Sequence, residues 1–186
     1  MMSLMNSYKT EELLHEETYT HQEILDAVLI THPKAKQCNL TKEDLEHVLI
    51  FENGSNLTLL KNPIKDEYWN ENWCSEGLYM AQRVEDLGAK KIIAFLSSGY
   101  WLAMKARKLY PLEQDEEKRI EYMRNAIKLK FDNNPKLKEE LMKTWNKLII
   151  EYTFWKDTRF WIDQATLKWM KILWKLLIEY RDNNKS

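Results

Sequence analysis

Glycine and proline are scarce, four of each in 186 residues, which leaves little material for the tight turns of a β-sandwich or for a glycine-rich phosphate loop. Cysteine is scarcer still. Cys38 and Cys74 are the only two, and they make neither a disulfide framework nor a cysteine-rich zinc site. The formal charge of −1 excludes chain-wide attraction to nucleic acid, though not a local basic patch. No stretch of about 20 uncharged apolar residues occurs, and residues 1–12 lack the apolar core of a secretion signal. The expected location is the cytoplasm. Eight Trp, nine Tyr and a hydrophobic share of 44% are instead what a folded globular chain of one domain carries.

Hydrophobic periodicity predicts a mainly α fold with at most a short β element. Thr20-His21-Gln22-Glu23 is a capping box that opens a helix with Ile24, Ala27, Val28 and Thr31 inward, and His32-Pro33 stops it. A second helix is expected from Thr41, with Leu45, Val48 and Leu49 on its apolar stripe, running to Asn53-Gly54. These two form an N-terminal helical layer over 1–50, ahead of a main domain over 51–186. Residues 57–60 read as a short strand, and 89–95 as a short apolar helix. A longer helix starts near Asp115, carries Tyr122, Met123, Ala126, Ile127 and Leu129, and ends at Asn133-Asn134-Pro135. Pro135 opens the next, with Leu137, Leu141 and Trp145 inward. Residues 148–152 suit a strand or a helical turn. The final helix spans about 163–180, with Leu167, Met170, Leu173, Trp174, Leu177 and Ile178 inward and too many lysines for a membrane span.

Trp73-Cys74-Ser75-Glu76-Gly77-Leu78-Tyr79-Met80-Ala81-Gln82-Arg83 concentrates the chemistry. Ser75 reads as an N-cap, and an acid in the first turn is favoured by the macrodipole. At about 100° per residue, Glu76, Tyr79 and Arg83 share one face. The arrangement is either a sugar or nucleotide pocket or a solvated face with an ion pair. On the helix alone the solvated face is the simpler reading.

Taken in order, the motifs resemble the NADAR family, also called YbiA-like. Phe51 and Ser55-Asn56-Leu57 come first, followed by Trp73, Ser75-Glu76, Tyr79 and Ala81-Gln82-Arg83. Ala106-Arg107 with Pro111-Leu112 is the third piece, and Tyr122-Met123, then Lys130-Phe131 to Leu137, Leu141 and Thr144, the fourth. Leu148 to Glu151, Asp157, Phe160-Trp161 and a closing Leu177, Glu179 and Arg181 complete the set. The departures are specific. Gly77 stands where the family has His, Arg83 where it has Lys, and residues 162–171 contain no glycine where the family has a glycine-rich loop with an Asn. That loop is expected to have become helix.

The resemblance implies a compact, mostly helical domain that cleaves N-glycosidic bonds of ribosyl compounds. Such a cleavage passes through an oxocarbenium-like state, which needs a carboxylate near the ribose and a proton source for the leaving nitrogen. Glu76 takes the first role, and Asp157 the second, with Glu151 as the other carboxylate in that motif; capping or salt-bridge roles are the alternatives for both. Trp73, Tyr79 and Trp161 are candidates to flank a base or ribose, although aromatics at helical spacing are more often core. Gln82 and Asn56 are candidate substrate contacts, and Arg83 and Arg107 candidate oxygen or phosphate ligands. A lysine can form a Schiff base with an opened ribose; Arg83 cannot, so Lys171, at the position of the family's loop Asn, is the substitute.

No metal and no cofactor is implied, because His15, His21, His32 and His47 all lie in the N-terminal layer. The implied substrate is ADP-ribose on guanine in DNA, the product of a defence or toxin ADP-ribosyltransferase. The Lys-, Asn- and Ile-rich composition suits a phage counter-defence protein. Two alternatives stand beside this: N-glycosidase action on riboflavin-pathway intermediates, and a degenerate fold that binds ADP-ribose, nucleic acid or a protein without turnover. The sequence leaves oligomeric state open.

Overall fold

A computed structural model of the chain describes residues 20–51, 75–96, 108–151 and 164–185. Two reciprocal caps organise the beginning. Thr20 accepts from the Glu23 N–H (3.3 Å) while its own N–H donates to the Glu23 carboxylate (2.9 Å), which starts α1 (His21–Thr31). His32 and a 3₁₀ turn over Pro33–Gln37 close it, since proline has no N–H to continue a helix. Thr41 and Asp44 repeat the capping box for α2 (Lys42–Glu46).

The second helix is shorter than its apolar stripe suggests. It ends at Glu46, and Val48 and Leu49 belong to β1 (Val48–Phe51). This corrects the expected helix through Asn53. The β-branched and aromatic run is better matched to a pleated surface, and it finds a partner in β2 (Leu148–Glu151), which resolves the strand-or-turn ambiguity of 148–152. The two strands are parallel, Val48 opposite Leu148 and Ile50 opposite Ile150, with the Leu148 N–H donating to the His47 carbonyl at 2.8 Å. A parallel pair needs a long crossover. Here it contains α3 (Ser75–Gln82), α4 (Leu87–Leu96), α5 (Glu116–Asn133) and α6 (Pro135–Lys143). Successive residues Ile149 and Ile150 are both buried, so β2 is covered on both faces, as parallel strands usually are. The expected strand at 57–60 lies outside the described residues.

Two of the remaining helices pack on α3. Asp86 caps α4 by accepting from the Ala89 N–H at 2.6 Å, and α4 and α5 both pack on α3. Asp115 caps α5 through the Lys118 N–H at 2.9 Å. The inward row of α5, Met123, Ala126, Ile127, Lys130 and Phe131, repeats at three- and four-residue steps. Phe131 stacks on Tyr180 of α7 (Gln164–Asn183), ring centroids 5.4 Å apart. The Tyr180 hydroxyl donates to Asp132 at 2.6 Å. Arg181, also on α7 and buried, donates to the Thr144 hydroxyl (3.1 Å) and the Lys147 carbonyl (2.8 Å), tying the helix to the approach to β2.

The helix that replaces the expected glycine-rich loop is present, since α7 is helical from Gln164 onward. Trp145 departs from expectation. It lies beyond the end of α6, has φ 52°, and is 70% exposed rather than inward. The stripe of α6 ends with Leu141, and the left-handed turn at Trp145 swings the ring out beneath the Lys185 ammonium, 5.9 Å from its centroid. Among the described residues no helix is long and apolar enough to cross a membrane.

Candidate functional site

The residues of α3 decide its environment. Ser75, Gly77, Leu78, Tyr79, Met80, Ala81, Arg83 and Val84 are all buried, and only Glu76 and Gln82 are partly exposed. An α-helix hydrophobic on nearly every side belongs to an interior, so the solvated-face reading of Glu76 and Arg83 is corrected. Ser75 is itself the first helical residue rather than a residue outside the helix.

Arg83 sits one residue past the helix end, 7% exposed. Its guanidinium donates twice to the Glu113 carbonyl, from Nε at 3.3 Å and Nη2 at 3.2 Å, while the Glu113 N–H donates to the Arg83 carbonyl at 2.6 Å. Two chain segments thirty residues apart are thereby locked together. The guanidinium carbon also lies 5.6 Å from the centre of the Tyr79 ring, a cation–π distance. The shared face of Tyr79 and Arg83 is therefore real, and it is dry. The Glu113 carboxylate turns the other way, where a hydrogen bond from Lys118 (2.7 Å) holds it below the usual carboxylate range.

Glu76 lies half-buried in the first turn of this interior helix, where the N-terminal end of the dipole favours its ionised form. Gln82 bridges: its side-chain N–H reaches the Leu78 carbonyl (3.4 Å), and its oxygen accepts from Asn125 of α5 at 3.2 Å. Lys171 lies on α7, half-buried, near enough to His32 to act on its charge. Glu151 is the last residue of β2, in register with Phe51. Trp73, Asn56, Arg107, Asp157 and Trp161 lie outside the described residues.

Two neighbours escaped the sequence reading of the site. Asn125 is the partner of Gln82, and Glu113 supplies the carbonyl that holds Arg83; neither contact carries a local signal, because each joins segments distant in sequence. Lys130 belongs to the fourth motif. It falls seven residues after Met123 on the inward row of α5, and it is fully buried, its ammonium 5.8 Å from the Phe131 ring centre.

No protein-family model matches the chain, and no curated protein matches it by sequence. A solved structure does. The NMR structure of the E. coli protein YbiA is 25% identical, with a TM-score of 0.57 over 72% of this chain and 83% of that one. The similarity is one of helical architecture over most of both chains. Low identity and a moderate TM-score agree with the departures at Gly77, Arg83 and the start of α7. The chain is thus similar in fold to YbiA, at the distance of a divergent relative.

Proposed function

We propose that this protein hydrolyses the N-glycosidic bond of a ribosyl compound, and that its substrate is ADP-ribose attached to guanine in DNA. The observation that carries the reading is Glu76, a half-buried carboxylate at the N-terminal turn of an otherwise buried helix, one turn from the Tyr79–Arg83 pair. Such a carboxylate stabilises developing positive charge on a ribose or activates a water more strongly than one in bulk solvent does. Asp157 is assigned proton delivery to the departing base, with Glu151 in reserve. Trp73, Tyr79 and Trp161 are assigned to the base and ribose faces, Asn56 and Gln82 to ribose hydroxyls, and Arg107 and Lys171 to the diphosphate. Arg83 holds the floor of the site in place through Glu113.

The test is incubation of the purified protein with DNA carrying ADP-ribosylated guanine, beside free ribosylated riboflavin precursors. Release of ADP-ribose from DNA is expected, and Glu76→Gln should lower the rate by about 10²- to 10⁴-fold, the usual range for a positioned acid or base. Unchanged DNA substrate with the wild-type protein overturns the reading, and turnover of the small precursors alone reassigns the substrate.

One observation favours a second reading, binding without turnover. Arg83 occupies the family's lysine position and is committed to a backbone carbonyl, where an amine nucleophile would need freedom to react. ADP-ribose binding by calorimetry without any hydrolysis would select it. Arg83→Lys would then test whether restoring the amine restores turnover.

A further inference from the structure

The end of α1 brings a histidine onto α7. The His32 ring stacks on Trp174, centroids 6.3 Å apart and planes 24° from parallel. The Thr31 hydroxyl donates to the Ala27 carbonyl at 2.7 Å and lies 2.8 Å from His32 Nδ1. With its one proton committed, that hydroxyl accepts from Nδ1–H, which leaves Nε2 as the atom that takes up a proton.

Two lysines act on the charge of this ring. Lys171 precedes Trp174 by three residues and Lys175 follows Lys171 by four, so both are helix-surface neighbours of the row on which His32 rests. Burial, then the charge of Lys171, then that of Lys175, holds the imidazole below its ordinary value. Among the described residues neither lysine has an ion-pair partner. Glu179, one turn beyond Lys175, is engaged by Arg124 at 2.8 Å. On α1, Glu23 is held by Thr20 and Asp26 by Gln22. The C-terminal end of the α1 dipole supplies about half a negative charge, which offsets only part of two ammoniums. The indole N–H of Trp174 is buried as well, without a hydrogen-bond partner. A buried donor in that condition costs about 1–3 kcal/mol. Gathered positive charge, an imidazole able to gain a proton and an unsatisfied donor share one chemical complement, a compact oxyanion.

We propose that His32, Lys171, Lys175 and Trp174, at the seam between α1 and α7, form a binding site for a phosphate group. Lysine suits this as a point charge on a flexible stem. The phosphate comes from a nucleotide or from a nucleic-acid backbone; the site shares Lys171 with the diphosphate role proposed above and in that respect rests on it, whereas His32, Lys175 and Trp174 stand apart from the Glu76 chemistry.

The experiment follows the Trp174 indole N–H and the His32 imidazole by NMR while inorganic phosphate is added to the full chain. A saturable indole shift and a rise in the His32 pKa are expected. The double variant Lys171→Gln, Lys175→Gln should bind about tenfold more weakly, as loss of charge-assisted contacts requires. If that variant folds poorly, Lys175→Gln alone, at an exposed position, should still weaken binding. No saturable shift, or variants that bind as wild type does, overturns the proposal. ADP-ribose and a single-stranded oligonucleotide form two further arms: tighter binding of the first assigns a nucleotide source, and tighter, steeply salt-dependent binding of the second a backbone source. Phosphate binding without hydrolysis counts against the hydrolase reading alone, and hydrolysis without phosphate binding against this proposal alone.

Discussion

Arg83, just past the end of α3, and Arg124, on α5, each follow a glutamate at helical spacing, yet they have opposite fates. Arg124 of α5 reaches Glu179 of α7 at 2.8 Å and also pairs with Glu121, with all three side chains substantially exposed. Arg83 is buried, clamped to the Glu113 carbonyl and laid against Tyr79. Acid-and-base spacing along a helix therefore says little about how a charge is used. The cover placed over the helix decides. Exposed pairs are weakened by solvent and salt, whereas a buried guanidinium must be matched by fixed dipoles or its burial is costly.

The contrast predicts a ranking of effects. Arg83→Gln should cost about 2–4 kcal/mol of stability, because it removes two hydrogen bonds from a charged group and leaves a half-buried carbonyl without them. Denaturant unfolding measures it, and a loss no larger than that of Arg124→Gln would erase the distinction between the two arginines. Tyr180→Phe comes next, at about 1–2 kcal/mol near neutral pH, through the lost hydrogen bond to Asp132. Burial opposes ionisation of Asp132, but Lys128 and Tyr180 outweigh it and hold its pKa low, while burial and Asp132 push the Tyr180 pKa up. The depressed acid contributes stability above about pH 4 that is lost as pH falls through its folded value. The raised phenol contributes below about pH 10, and that part is lost as pH rises through its folded value. The gap between wild type and Tyr180→Phe should therefore be widest between those limits and narrow on both sides.

Arg124→Gln should cost less than about 1 kcal/mol, and less still in high salt. The smallest effect belongs to His32. Its depressed folded pKa means that stability is lost as pH falls below about 6.5, and His32→Gln should flatten that part of the pH–stability curve. A curve of unchanged slope would show that the imidazole does not feel the lysines beside it.

Elements with strong local signals were legible before any coordinates. The Thr20–Glu23 box, the Asp115 start of α5 and Pro135 at the head of α6 fall where capping chemistry places them. The helix over 164–171 was legible from the lack of glycine. Val48 and Leu49 read as helix because a four-residue apolar run fits a helix stripe and a strand equally well, and the partner that chooses between them is a hundred residues away. Trp145 reads as inward because helical spacing does not reveal that the helix has already ended. At the candidate site, the common face of Tyr79 and Arg83 was readable from periodicity, but its dryness was not.

Residue type and short spacing were enough for the helical class, the caps, the order of motifs that resembles YbiA-like chains, and the choice of Glu76 as the carboxylate to test. Both act through the nearest turns. Only the tertiary structure decided that α3 is interior, that Arg83 serves a carbonyl, that Lys130 is fully buried, and that His32 meets Trp174 beside two lysines. Those outcomes turn on which distant segments exclude water from a side chain, and solvent exclusion is a property of the packed chain rather than of any stretch of it.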